Sequence, residues 1–224
     1  MGRSTRLYSP GEQIADRILH RVAIGVAAVA VPGLLVPAMA TGSTLVAVGV
    51  ALYGLGLLAM LVCSALSNHD PHDRSPRTEM LERLDHAGIL LMIAGTYAPF
   101  TLATLGGAWG WTLFAFVWAV AVTGIVLKLV RRGPMRYGAS IALYLLLGWS
   151  VLPVIGPLTA ALPGESLALL AAGGLLYSAG VVFYLWTRLP YHTVVWHGFV
   201  VAAASCHYAA VLTGVVFPSQ LMAG

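Results

Sequence analysis

Seven long apolar stretches, separated by short connections rich in polar and turn residues, run along the chain. A helix needs roughly 20 mainly apolar residues to cross the hydrocarbon core of a bilayer, and each stretch approaches or reaches that length. Read as helices, the stretches cover residues 22–39, 45–66, 87–105, 109–129, 139–158, 167–186 and 194–217. The pattern therefore predicts an all-α integral membrane protein with seven transmembrane helices.

The composition favours a single membrane domain. Of the 224 residues, 59% are hydrophobic and 9% are charged, whereas a soluble domain carries about 25% charged residues. The connections are too short to hold a soluble domain, so we expect residues 1–224 to form one seven-helix unit. Cys63 and Cys206 both lie inside apolar stretches, which favours buried thiols over a disulfide.

The distribution of positive charge predicts how the helices are oriented. All 12 Lys and Arg residues lie in the N-terminal segment or around the connections that follow the second, fourth and sixth stretches, which share one side of the membrane. Because basic residues accumulate on the cytoplasmic side, we expect a cytoplasmic N-terminus and an external C-terminus. Short basic clusters of this kind fit loops that face an anionic leaflet better than a nucleic-acid surface. The expected location is a plasma membrane or bacterial inner membrane, with membrane lipids rather than nucleic acid as partners.

Two helix starts can be read on the cytoplasmic side. Ser9, Pro10 and Glu12 form the pattern of a capping box with proline in the first turn, which predicts a helix beginning near residue 10. We therefore expect residues 1–21 to be a cytoplasmic segment that carries a short helix. Ser75 and Pro76 predict a similar start ahead of the third stretch.

Polar side chains concentrate at the cytoplasmic ends of four stretches, although an ionisable group is costly in lipid. They are His20 in the first stretch, Ser64, Asn68 and His69 in the second, Asp85 and His86 in the third, and His192 and His197 in the seventh. His207 is separate, because ten residues at 1.5 Å each place it about 15 Å further out than His197. Imidazole and carboxylate groups bind Zn²⁺, and a centre with one position open to water could hydrolyse an amide or ester. The alternative is that these histidines hydrogen-bond neighbouring helices or reach the headgroups.

Five segments, in this order along the chain, carry a family resemblance. They are SALSN from Ser64, RLDHAGILLMIAGTYAPF from Arg83, LYLLLGW from Leu143, GGLLYSAGVVFY from Gly173 and VVWHGFVVAAASCHYAAV from Val194. Over nearly its whole length, the sequence resembles the hemolysin III proteins, which belong with the progestin and adipoQ receptors and, more distantly, with the alkaline ceramidases. The resemblance implies a seven-helix membrane protein with a cytoplasmic N-terminus.

The same resemblance implies a zinc site near the cytoplasmic side. The receptor and ceramidase relatives bind zinc through a histidine four residues after a serine in the second helix and through two histidines, four apart, that open the seventh. An aspartate that opens the third helix completes the site through the bound water. Ser64, Asp85 and His197 match the serine, the aspartate and the second histidine of the pair. His20 and His207 match polar positions that lie outside the zinc shell in the family.

Two ligand positions depart from that pattern. Asn68 stands where the histidine of the second helix is expected, with His69 one place later. Thr193 stands where the first histidine of the seventh helix is expected, with His192 one place earlier. One place in a helix is about 100° of rotation, so His69 and His192 could act as metal ligands only through a local distortion of the helix ends.

Three functions are consistent with the sequence. The first is a zinc-dependent hydrolase of lipid amides or esters, in which His197 binds the metal, Asp85 orients or deprotonates water and Ser64 stabilises the oxyanion. The second is a non-enzymatic receptor-like or lipid-homeostasis protein that retains a polar pocket and a degenerate metal site. The third is a pore-forming cytolysin, which ranks lowest because the outer half of the stretches is almost entirely apolar.

Overall fold

The computed structural model describes residues 8–67, 75–130 and 137–218, and all regular structure within these ranges is helical. The helices are α1 (Pro10–Ala40), α2 (Thr44–Ser67), α3 (Pro76–Pro99), α4 (Gly107–Val130), α5 (Tyr137–Gly148), α6 (Ile155–Ala161), α7 (Gly164–Leu185) and α8 (His192–Val211). Helices α3 and α8 each continue as a π-helical turn, over Phe100–Leu105 and Leu212–Val216. Seven segments are long and apolar enough to cross a membrane, with α5 and α6 together forming the fifth. The predicted seven-helix membrane fold is therefore confirmed.

The two helix starts predicted at residues 10 and 76 are present. The Ser9 hydroxyl accepts the Glu12 backbone N–H at 3.2 Å, and the Glu12 carboxylate accepts the Ser9 N–H at 2.7 Å, which completes the capping box. The short helix expected from residue 10 is the first part of α1, which runs unbroken for 31 residues. Its length of about 46 Å exceeds the roughly 30 Å hydrocarbon core, so part of α1 lies beyond it. At the start of α3, the Ser75 hydroxyl accepts the Thr78 N–H.

Glycines let the backbones of α2 and α3 approach each other closely. A Cβ added at Gly56 on α2 would lie 2.8 Å from the Leu91 carbonyl oxygen. A Cβ added at Gly95 on α3 would lie 2.7 Å from the Leu52 carbonyl oxygen. Small residues at helix contacts are typical of packing in lipid, where close van der Waals contact replaces the hydrophobic effect.

The fifth span differs from the single helix predicted over residues 139–158. Helix α5 ends at Gly148, and the chain passes through a turn and a 3₁₀ segment, Leu152–Val154, before α6 begins. Pro153 explains the break, because proline has no N–H and its ring obstructs the carbonyl four residues earlier. The Tyr97 hydroxyl donates to the Gly148 carbonyl oxygen at 2.7 Å and so satisfies a group that the broken helix leaves without its usual partner.

Candidate metal centre

A cavity of about 320 Å³ lies where the start of α1, the end of α2, the start of α3 and the start of α8 converge, and we call it the polar cavity because acidic, histidine and hydroxyl side chains line part of it. It gathers most of the site residues predicted from the sequence. Those that line it are His20, Ser64, Asp85, His86, His192, Thr193 and His197. Asn68 and His69 lie outside the described residues.

Three side chains in this cavity form a compact centre. Asp16, His20 and His197 each present one donor atom, and these atoms lie within 4.8 Å of one another. Asp16 and His20 are buried on α1, while His197 on α8 is partly buried. Oδ1 of Asp16 lies 2.6 Å from Nδ1 of His197, and the rings of His20 and His197 meet edge to face with centroids 4.5 Å apart.

The hydrogen bonds of the two imidazoles define which nitrogen is available. The Asp16 backbone carbonyl accepts from Nδ1–H of His20 at 2.9 Å, and the Asp16 carboxylate accepts from Nδ1–H of His197. In the neutral rings, Nε2 of both histidines therefore carries the lone pair. Metal-binding histidines are usually oriented in this way, by a carboxylate or carbonyl on the other nitrogen. Imidazole nitrogen is a common ligand of Zn²⁺, so the two Nε2 atoms are the donors available to an ion, and the Asp16 carboxylate orients the rings.

Ser64 and Asp85 lie next to the centre, close to His197. The Ser64 hydroxyl lies 3.3 Å from Nε2 of His197. The Asp85 carboxyl on α3 lies beside the hydroxyls of Ser64 and Ser67 and within electrostatic range of His197. The three residues that match the family pattern thus converge in one place, although they come from α2, α3 and α8.

His192 lies in the same cavity but points to a different neighbour. Its Nε2 is 3.4 Å from the hydroxyl of Tyr8, ahead of α1, and it is not one of the three side chains of the centre. The preceding residue, Tyr191, is held in the left-handed region at φ +58°, and its N–H donates to Oε1 of Glu12 at 2.6 Å. This connection fixes the start of α8 against the start of α1. Thr193 lines the cavity at the position that the family pattern assigns to a histidine.

The two remaining histidines of the described ranges are not members of the centre. His86 is buried, and its Nδ1 lies 2.7 Å from the hydroxyl of Tyr144 on α5. His207 donates from Nε2 to the Leu170 carbonyl oxygen at 3.3 Å and lines a second, mostly apolar cavity of about 240 Å³. The two cavities adjoin, because Tyr177 and Trp196 are among the residues that line both.

Sequence reasoning did not assign Asp16 to the site and placed His20 outside the metal shell. The signal was nonetheless present. Glu12, Asp16 and His20 are spaced four apart in a helix whose start at Pro10 was predicted, so they share one face. All three are buried. The proximity of that face to His197, however, depends on how α1 packs against α8.

Comparison with known proteins connects the whole arrangement to one family. The sequence model of the family described as "Haemolysin-III related" matches residues 12–208. The chain is 38% identical over 204 residues to "Hemolysin-3" of Bacillus cereus, covering 90% of each protein. It is 35% identical over 208 residues to the "Hemolysin-3 homolog" of Bacillus subtilis (strain 168), covering 92% of this chain and 95% of the relative. It is also 29% identical over 172 residues to the human "Monocyte to macrophage differentiation factor", covering 71% of this chain and 67% of that protein.

Proposed function

Because the chain belongs to the hemolysin III family, we propose that it is a multi-pass membrane hydrolase that uses Zn²⁺ to cleave an amide or ester bond of a membrane lipid. The observation that carries this proposal is the centre formed by Asp16, His20 and His197. The family resemblance supports zinc as the ion, and the two imidazoles of the centre are ligands that Zn²⁺ accepts. The distribution of Lys and Arg supports placing the centre at the cytoplasmic side of a plasma or bacterial inner membrane.

Each residue in the centre or next to it has a role in the proposed reaction. A bound Zn²⁺ would supply a Lewis acid that polarises the scissile carbonyl and activates water. His20 and His197 would hold the ion through Nε2, with Asp16 fixing the ring of His197. Asp85 would accept the proton of the attacking water, and the Ser64 hydroxyl would donate to the oxygen on which negative charge develops.

The adjoining apolar cavity supports a lipid as the substrate. Its lining is dominated by hydrophobic and aromatic side chains, and it shares walls with the polar cavity. Binding sites for amphiphiles combine an apolar cavity with a few polar groups that fix orientation. The polar end of a lipid would lie at the centre while its chain occupies the second cavity.

The test is product formation by the purified protein from a panel of lipid amides and esters, measured by mass spectrometry. We expect turnover that is lost on chelation, restored by Zn²⁺ and abolished in His197→Ala. Ser205→Ala is the matched control, because Ser205 is exposed on the same helix and bonds only within it. Turnover that survives both chelation and His197→Ala would contradict the proposal. Stoichiometric zinc without turnover of any lipid in the panel would favour the non-enzymatic, receptor-like function.

A second candidate rests on one specific chain of hydrogen bonds. The Ser64 hydroxyl, the His197 imidazole and the Asp16 carboxylate follow one another at 3.3 and 2.6 Å, in the order of a Ser–His–Asp triad. In a metal-free hydrolase, Ser64 Oγ would bond to the scissile carbonyl carbon while His197 takes its proton and returns it to the leaving group. Water would then release the acyl group from Ser64.

Chelation and covalent labelling separate the two candidates. A triad hydrolase keeps its activity in chelator, is labelled by a fluorophosphonate at Ser64, and loses all turnover in Ser64→Ala. A zinc hydrolase loses activity in chelator, resists the label and keeps partial turnover in Ser64→Ala, because Ser64 then contributes one hydrogen bond rather than the nucleophile.

A further inference from the structure

His86 is held in one orientation by a neighbouring helix. The Tyr144 hydroxyl donates to the His86 backbone carbonyl at 3.1 Å, while Nδ1 of His86 lies 2.7 Å from the same hydroxyl oxygen. With the hydroxyl proton of Tyr144 donated to the carbonyl, which can only accept, the bond to the ring is donated by Nδ1–H. In the neutral imidazole, the opposite nitrogen, Nε2, then carries a lone pair.

The surroundings of the His86 ring keep this arrangement rigid. Tyr144 stacks on the ring at a centroid distance of 6.0 Å, and Tyr137 meets it edge to face at 5.5 Å. The Lys128 ammonium lies 5.4 Å from the phenol ring of Tyr144 and donates to the Ser140 hydroxyl at 2.6 Å, which joins α4 to α5. The His86 ring of α3 is thus held against two aromatic side chains of α5.

His86 belongs to the wall of the polar cavity. His86 lines the same cavity as Asp16, His20 and His197, and its one side-chain hydrogen bond within the described residues is the one that Nδ1 makes. A ligand that fills the cavity takes Nε2 out of solvent, so a ligand with a donor satisfies this acceptor and a ligand without one leaves it unsatisfied.

We infer that His86 is a specificity-determining residue, whose Nε2 accepts a hydrogen bond from an N–H or O–H group at the polar end of the bound lipid. The inference rests on the proposed function, since it takes the polar end of the lipid to lie beside the metal centre. It adds a criterion for the substrate, because sites built around a polar contact reject analogues that lack the matching group. Tyr144 is the positioning residue that keeps Nε2 directed into the cavity.

Three amphiphiles of matched size test this inference. They are N-butylhexadecanamide, which has an N–H donor, and two compounds without one, butyl hexadecanoate and N-butyl-N-methylhexadecanamide. Affinity is measured by displacement of a fluorescent lipid from the purified full-length protein in detergent. We expect the secondary amide to bind about tenfold more tightly than either donor-free compound, the range of one well-placed hydrogen bond. Equal affinities of all three compounds would overturn the inference.

Variants assign the preference to His86. In His86→Phe, the affinity ratio should fall to near one, and in Tyr144→Phe it should fall part of the way, because the ring can then rotate. Tyr208→Phe is the matched control: it removes a hydroxyl that bonds the Ala30 carbonyl, and Tyr208 is not among the residues that line either cavity, so the ratio should stay unchanged. If His86→Phe does not fold, Tyr144→Phe decides the question. An unchanged ratio in Tyr144→Phe would overturn the inference.

The two proposals fail in different ways. If the protein releases no product with or without Zn²⁺ but retains the His86-dependent preference, the hydrolase proposal fails and the recognition site stands. If zinc-dependent turnover is present but the amide preference is independent of His86 and Tyr144, the hydrolase stands and the recognition site fails.

Discussion

Oδ1 of Asp16 lies 2.6 Å from Nδ1 of His197, so a carboxylate near the beginning of the chain orients an imidazole 181 residues later. Asp16 is buried, and a buried carboxylate is retained at low cost only when it has partners. Its second oxygen lies 3.5 Å from Nδ1 of His20, one turn further along α1. The same residue therefore joins α1 to α8 and holds both imidazoles of the centre.

Removal of this contact should destabilise the protein. We expect Asp16→Ala to lower the free energy of unfolding by about 2 kcal/mol, because it leaves a charge-assisted bond to His197 unmade in a buried site. Asp16→Asn should cost less, since an amide oxygen can still accept from Nδ1–H. The measurement is thermal unfolding in detergent without added metal. Glu79→Ala is the control: the Glu79 side chain is exposed and its contact with Arg83 is 3.9 Å long, so little change is expected.

Metal content should depend on the centre rather than on the other histidines. We expect purified protein to carry up to one equivalent of Zn²⁺, measured by elemental analysis, and His20→Ala or His197→Ala to remove most of it. His192→Ala should retain the metal, because His192 faces Tyr8. His207→Ala should also retain it, because His207 lines the other cavity. Loss of zinc in His192→Ala but not in His20→Ala would show that α8 begins in a different register.

Close packing of α2 against α3 should be sensitive to a single methyl group. We expect Gly95→Ala to destabilise the protein by about 1–3 kcal/mol, because its Cβ would meet the Leu52 carbonyl oxygen at 2.7 Å and the backbones would have to separate. Gly25→Ala, on an exposed face of α1 with no atom within 4 Å of the new Cβ, should be neutral or slightly stabilising. Thermal unfolding of both variants checks the comparison, and equal melting temperatures would contradict it.

The orientation in the membrane remains a prediction from charge. Reporter domains fused after Gly224 and within the connection at Gly133 should report opposite compartments, with the Gly133 reporter in the cytoplasm. Alkaline phosphatase and a fluorescent protein, which are active on opposite sides of a bacterial inner membrane, provide the paired readout. The same compartment for both positions would refute an odd number of spans.

Much of the fold could be predicted from local sequence. The seven spans follow from length and hydropathy, and the starts at Pro10 and Pro76 follow from Ser9 and Ser75, because each signal acts within one turn of the chain. The break after Gly148 was missed. Hydropathy does not distinguish a continuous apolar helix from two short ones, although Pro153 marked the place.

The centre was harder to predict because it depends on tertiary contacts. Spacing along α2, α3 and α8 located Ser64, Asp85 and His197, which do converge. The missing partner was Asp16, which looks like part of an ordinary charged cytoplasmic segment in the sequence. Its role appears only when α1 is packed against α8, and no local pattern encodes that contact.

The division of the centre between α1 and α8 has a consequence for biosynthesis. A nascent chain exposes Asp16 and His20 early, but their partner His197 arrives only when the last helix has left the ribosome. Until then the Asp16 carboxylate lacks the imidazole that it is bonded to in the finished protein. The contact between Asp16 and His197 therefore forms only at the end of assembly. A chain truncated before α8 should remain more accessible to membrane proteases than the full-length protein, because the contact between Asp16 and His197 that joins its first helix to the last cannot form.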